Sequence, residues 1–178
     1  MKSKFSIDHV ETKKAFSLTR TCICETYVQC FQFKILNDIL FTNSRLAKIG
    51  LIQSDLCTFC NIGVETIDHL FLYSVYSLVF WEEFESYWFA IAKEQRKLEL
   101  KTILVGVTHT KCPLFNYLIV LGKLSLWNCR RNKNSPFFPS YKELVKRKYE
   151  IECHIATKKN NSKMLEAKWK PVQHYITR

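Results

Sequence analysis

Apolar positions along this chain recur mostly at helical spacing. Phe31, Ile35, Leu36, Ile39 and Leu40 fall on related faces of a helix. A short helix is predicted around 44–49, with Asn43 placed to cap its start and Gly50 placed as the left-handed residue beyond its end. Cys57-Thr58-Phe59-Cys60-Asn61-Ile62-Gly63 reads as a tight turn. Helical spacing resumes at Thr66, where Ile67, Leu70 and Phe71 open a pattern that Leu78, Trp81, Phe84 and Trp88 continue. Residues 93–101 are charged and polar, and read as a linker or a solvated helix. Ile103 to Val107 fits either a strand or a buried turn. Asn116 to Cys129 is apolar enough and long enough for a buried helix. Ser140-Tyr141-Lys142-Glu143 has the S-x-x-E form of a capping box, and Leu144, Val145, Lys148, Tyr149 and Ile155 follow on related faces. Met164, Leu165 and Trp169 mark one more short helix before Pro171.

The sharpest chemistry lies in the tight turn. Cys57-x2-Cys60 sets two thiolates to face one ion across a turn, and His69, in the first turn of the next helix, can reach the same point. Three donors leave a fourth position open. Ser74 offers only a hydroxyl, a poor zinc ligand beside a thiolate; Asp68, Cys30 or water are the alternatives. The competing reading is a reduced thiol pair in a hydrophobic turn. On this pattern the fold class is mainly α: a helical domain with a small Cys-x2-Cys…His zinc-knuckle-like hairpin and a basic helical C-terminal segment. The segments are drawn at 1–50, 51–92 and 93–178. Zn2+ is the implied cofactor, at a site incomplete by one ligand.

Charge adds a second feature. The 178 residues carry a formal net charge of +11. Residues 1–122 hold 13 Lys and Arg against 12 Asp and Glu, whereas 123–178 hold 14 against 4, so the C-terminal third carries a net +10. Such an excess suits a polyanion. Lys142, Lys146, Arg147 and Lys148 are the candidate phosphate contacts, and Trp169 is a candidate for stacking on unpaired bases. The plainer reading is that these lysines form a solvated face and the aromatics are core. The expected partner is an RNA or DNA backbone. No small-molecule substrate and no membrane are indicated, and the oligomeric state is left open. The start of the chain has no apolar run of the signal-peptide kind, so the expected location is intracellular, in nucleus or cytoplasm, with its 8 Cys reduced.

Several segments resemble, in order, the C-terminal part of non-LTR (LINE-type) retrotransposon reverse transcriptases. They are Phe31 to Asn43 (FQFKILNDILFTN), Ser54 to Cys60 (SDLCTFC), Glu65 to Phe71 (ETIDHLF) with Trp81 after it, Ile103 to Val107, Asn116 to Trp127, and Lys168-Trp169-Lys170-Pro171. The similarity begins near Ala15 and runs almost to the end. It implies a reverse-transcriptase zinc-binding region with Cys57, Cys60 and His69 as ligands, helping to hold template RNA or target DNA for a polymerase. Two departures stand out: the family's last Cys is Ser74 here, and the Pro that often follows is Val75. On a straight α-helix, residue 74 lies about 140° past one turn from His69, so the two would not converge on one ion. The family's polymerase depends on paired, metal-holding aspartates. The four Asp here (8, 38, 55 and 68) are far apart, so the expectation is a binding region without polymerase or endonuclease, and no enzyme. The alternative is a truncated retroelement remnant with a degenerate zinc site and no independent function.

Overall fold

The computed structural model describes residues 9–23, 25–107, 113–158 and 162–172. Three helices come first: α1 (His9–Cys22), α2 (Thr26–Leu36) and α3 (Asn43–Lys48). Gly50 has φ +74°, so α3 ends on the predicted left-handed residue. The hairpin follows, and its one ladder contact is an antiparallel bridge between Leu56 and Val64. The chain then passes through a π-helical turn (His69–Tyr73) into α4 (Val75–Ala92). An extended linker over 93–99 leads to α5 (Leu100–Val105), α6 (Pro113–Arg131), α7 (Phe138–Lys158) and α8 (Ser162–Trp169).

α6 is the axis of the molecule. It is buried from Leu114 through Leu126, as a helix with neighbours on every side must be. α1, α2, α7 and α8 all pack on it. One continuous core runs from Ala15 through Cys57, Trp81 and Leu118 to Trp169, so the segments drawn at 1–50, 51–92 and 93–178 share a single interior. Gly122 lets α6 approach α4 closely, because a Cβ there would fall 2.8 Å from Cη2 of Trp81.

The structure departs from the sequence reading at four places. α2 ends at Leu36 and the chain turns at left-handed Asp38 (φ 52°), so Ile39 and Leu40 lie beyond the helix rather than on its face. Ile103 to Val105 is helical, belonging to α5, and Asn116 then secures the exit by pairing its side-chain amide with both backbone groups of Val107. The capping box at Ser140 is not used, because α7 already begins at Phe138, with Pro139 in its first turn where a missing N–H costs nothing. Asn43 is the first residue of α3 rather than its cap. Its N–H is taken by the Glu65 carboxylate at 2.8 Å, 22 residues away.

Candidate metal centre

The hairpin is closed by backbone bonds before any metal is considered. Cys57 N–H donates to the Gly63 carbonyl at 2.8 Å, and Asn61 N–H donates to the Cys57 carbonyl at 2.9 Å. Asn61 takes the left-handed conformation that this tight reversal needs (φ 54°), one that Asn tolerates well. The thiols of Cys57 and Cys60 therefore emerge from the same turn. Thr66 starts the next helix, with its hydroxyl accepting the His69 N–H at 3.0 Å. That fixes His69 above the turn.

Gly63 makes room for the imidazole. A Cβ at this position would lie 2.6 Å from Cε1 of His69, inside any tolerable contact. Cys60 Sγ and His69 Nε2 are 3.2 Å apart. One donor atom from each of Cys57, Cys60 and His69 lies within 4.8 Å of the others, and this is the grouping of metal-ligand type among the described residues. Ligands about 2.1–2.3 Å from a tetrahedral zinc lie about 3.5–3.8 Å from one another, so the cluster is of the right size.

The electrostatics favour thiolate at Cys60 and oppose it at Cys57. Burial pushes the Cys57 thiol up, against the pull of the Cys60 and Phe59 N–H groups on its sulfur. Burial also pushes the Cys60 thiol up. The N–H groups of Gly63 and Ile62, with His69 and Cys57, outweigh it and bring Cys60 down to about 6. Backbone N–H groups aimed at sulfur stabilise negative charge there, as a metal-binding thiolate requires. The residues present thus fit Zn2+, which Cys57, Cys60 and His69 could hold.

Ser74 is placed by the π-turn, which alters the geometry expected of a straight helix. Its N–H donates to the His69 carbonyl at 2.8 Å, a five-residue closure that carries the chain past the four-residue α repeat. The backbone then breaks at Ser74 (φ −63°, ψ 135°), which is the N-cap position of α4. The break leaves carbonyls of the π-turn without helical partners, and two side chains take them. Ser77 Oγ donates to the Leu70 carbonyl at 2.6 Å, and Trp81 Nε1 donates to the Phe71 carbonyl at 2.7 Å. Ser77 and Trp81 together therefore make the bend tenable. Asp68 and Cys30 do not join the donor group among the described residues.

Residues 4–81 match the family model described as zinc-binding in reverse transcriptase. This part of the chain is thus similar to a reverse transcriptase zinc-binding region. The chain matches no curated protein and no solved structure.

Glu65 ties the zinc-binding region to the rest of the fold, a role that the sequence reading did not assign. Fully buried, its carboxylate accepts Asn43 N–H, Thr58 N–H, Thr58 Oγ1–H and the Arg130 guanidinium, all at 2.7–2.9 Å. Arg130 also reaches Asn43 Oδ1 at 2.6 Å and stacks on the Trp127 ring. The carboxylate thus joins the hairpin, the start of α3 and the end of α6. Only Thr58 is a local partner; the others come from positions 22 residues before it and 65 after it.

The five nucleic-acid candidates divide. Lys142, Lys146 and Arg147 are exposed on α7. Lys142 also lies over the rings of Tyr87 and Phe138. Lys148 and Trp169 are corrected: both are inside the molecule. Lys148 is 6% exposed, with Nζ 2.5 Å from the Glu25 carboxylate and 2.7 Å from the Tyr27 hydroxyl. Trp169 is 1% exposed, its Nε1 donating to Glu152 at 2.6 Å. Trp169 belongs to a latch. Lys168 binds the other Glu152 oxygen, at 2.6 Å, and the Cys22 carbonyl at 3.0 Å, so α8 is fastened to α7 and to the end of α1. A buried cation already paired with a carboxylate is poorly placed to meet a phosphate.

Proposed function

We propose that this chain is the nucleic-acid-binding C-terminal region of a non-LTR (LINE-type) reverse transcriptase polyprotein, acting by binding rather than by a reaction of its own. The match to a reverse-transcriptase zinc-binding region supports the context. The observation that carries the binding role is the charge left on the surface once the paired cations are removed. In the C-terminal third, Lys123, Arg130, Lys148 and Lys168 are spent on internal contacts. Arg131, Lys133, Lys142, Lys146, Arg147, Lys158, Lys163 and Lys170 remain exposed, against exposed Glu143, Glu150 and Glu166. Glu143 and Glu150 stand four residues from Arg147 and Lys146 and temper the row on α7, so the excess comes from the ensemble. Such a surface binds phosphates with little regard for sequence.

Fluorescence anisotropy with labelled duplex DNA and single-stranded RNA, over a salt series, tests the reading. Three phosphate contacts by Lys142, Lys146 and Arg147 give a slope of log K against log salt near −2.7 on duplex, roughly a 40-fold loss between 50 and 200 mM. The Lys146→Glu, Arg147→Glu double variant should cut that slope by about 2 with no change in thermal stability. Binding that is flat in salt, or a double variant that binds as tightly as the parent, contradicts it.

One observation favours a second reading, a retroelement remnant without independent function: Ser74 stands where the family this chain resembles has its last Cys. Zinc content separates the two. A chain that purifies with one tightly held zinc supports a working module, and a folded chain that cannot hold zinc supports the remnant.

A further inference from the structure

We infer that Ser74 completes the zinc site, with its Oγ binding the ion directly as a neutral oxygen ligand beside the sulfurs of Cys57 and Cys60 and the imidazole of His69. Three independent features point there. Ser74 is fully buried, and its hydroxyl finds no hydrogen-bond partner, whereas nearly every other buried polar side chain in the described residues has one. A buried hydroxyl left unpaired is uncommon and calls for a partner that the protein atoms do not supply. The backbone holds residue 74 to His69 through the π-turn, by the 2.8 Å bond from Ser74 N–H to the His69 carbonyl. The turn that carries the thiols packs on the same segment, since the Phe59 ring meets the Tyr76 ring at 6.2 Å, two residues past Ser74. Residue 74 is thus flanked by a ligand on one side and by a contact of the Cys-bearing turn on the other.

The charge balance agrees. Two thiolates cancel the charge of Zn2+, and a neutral imidazole and a neutral hydroxyl add none. A site with no net charge is the arrangement least costly to bury, and Cys57 and Ser74 are both fully enclosed. A third thiolate at position 74 would bind zinc more tightly and leave one negative charge inside. The site is therefore predicted to be of mixed sulfur, nitrogen and oxygen type, holding zinc less firmly than an all-sulfur and nitrogen site does.

Co2+ substitution in the reduced, full-length chain reads this directly, because four-coordinate Co2+ absorbs strongly in the visible and each thiolate adds charge-transfer intensity. The parent should show a four-coordinate spectrum with two thiolates. Ser74→Cys should raise the charge-transfer intensity by about half and tighten binding at least about tenfold. Ser74→Ala should weaken Co2+ and Zn2+ binding by about tenfold or more and alter the visible bands. Parent affinity and spectrum in Ser74→Ala would overturn the inference. So would a Ser74→Cys spectrum unchanged from the parent, and this arm decides the question even if Ser74→Ala does not fold. These readouts are independent of nucleic acid, so they stand or fall apart from the binding role.

Discussion

Two residues show most clearly what individual side chains do here. Gly63 is fixed by the His69 ring, since a Cβ would fall 2.6 Å from Cε1. Gly63→Ala should displace the imidazole and weaken zinc binding by about 10–100-fold, measured by competition with a chromophoric chelator. Zinc affinity equal to the parent's would show that the ring can move without loss. Lys123 is the opposite case, a residue whose charge misleads. It was counted with the basic third, yet it is fully buried on α6 with its Nζ donating to the Leu104 carbonyl at 2.9 Å. Burial holds its ammonium well below the usual lysine range. A base depressed in the folded state takes up a proton more readily when unfolded, so its contribution to stability grows as pH rises from the depressed value toward 10.5. Lys123→Met keeps the volume and removes the titration. The variant should be more stable than the parent at neutral pH by about 1–3 kcal/mol, with the gap closing as pH rises, measured by denaturant unfolding. A gap that does not change with pH would place the charge elsewhere.

At the scale of elements, periodicity located α2, α4, α6, α7 and α8, but it missed α1, left α5 open to strand or turn, and did not give the joints. The spacing of Ile35, Leu70, Trp81 and Leu118 was legible because each helix buries one stripe, and α6 was legible as a buried run. The π-turn at His69–Tyr73 was not, because a one-residue change of repeat leaves the apolar pattern almost untouched. Its supports are at a distance, in Ser77 and Trp81. Trp81→Phe keeps the apolar ring, drops the bond to the Phe71 carbonyl, and should cost about 1–3 kcal/mol while loosening zinc binding. Unchanged zinc affinity in a destabilised Trp81→Phe would separate the bend from the metal. The latch of α8 was equally hidden. Lys168-Trp169 reads in sequence as a basic and aromatic pair fit for nucleic acid. Their partners Glu152 and Cys22 lie on other helices, and only the fold brings them together. Trp169→Ala should destabilise the chain by about 3–5 kcal/mol, and a Trp169→Phe variant that stays folded should bind nucleic acid as the parent does. A folded Trp169→Phe variant with a large loss of nucleic-acid affinity would return the indole to the binding surface.

Over the whole molecule, the two features first seen in the sequence turn out to be physically joined. The zinc-binding region is not a pendant knuckle. Glu65 and Arg130 bolt it to α3 and α6, and Cys57 lies in the same core as Trp169. The grouping of Cys57, Cys60 and His69 was readable because metal chemistry fixes residue type and spacing over a short stretch. The charged surface was readable only in outline, because burial or internal pairing withdraws Lys123, Arg130, Lys148 and Lys168 and no sequence rule separates them from their exposed neighbours. Among the described residues no helix is long and apolar enough to cross a membrane.

Zinc is expected to organise the hairpin at the head of this core. Native mass spectrometry of the reduced chain, purified with zinc present, tests it most directly, paired with thermal unfolding before and after chelation. One zinc per chain is predicted, absent from the Cys57→Ser, Cys60→Ser double variant, with the parent's melting temperature falling to the variant's once zinc is removed. A parent chain that holds no zinc, or one that melts at the same temperature with and without it, would contradict the account.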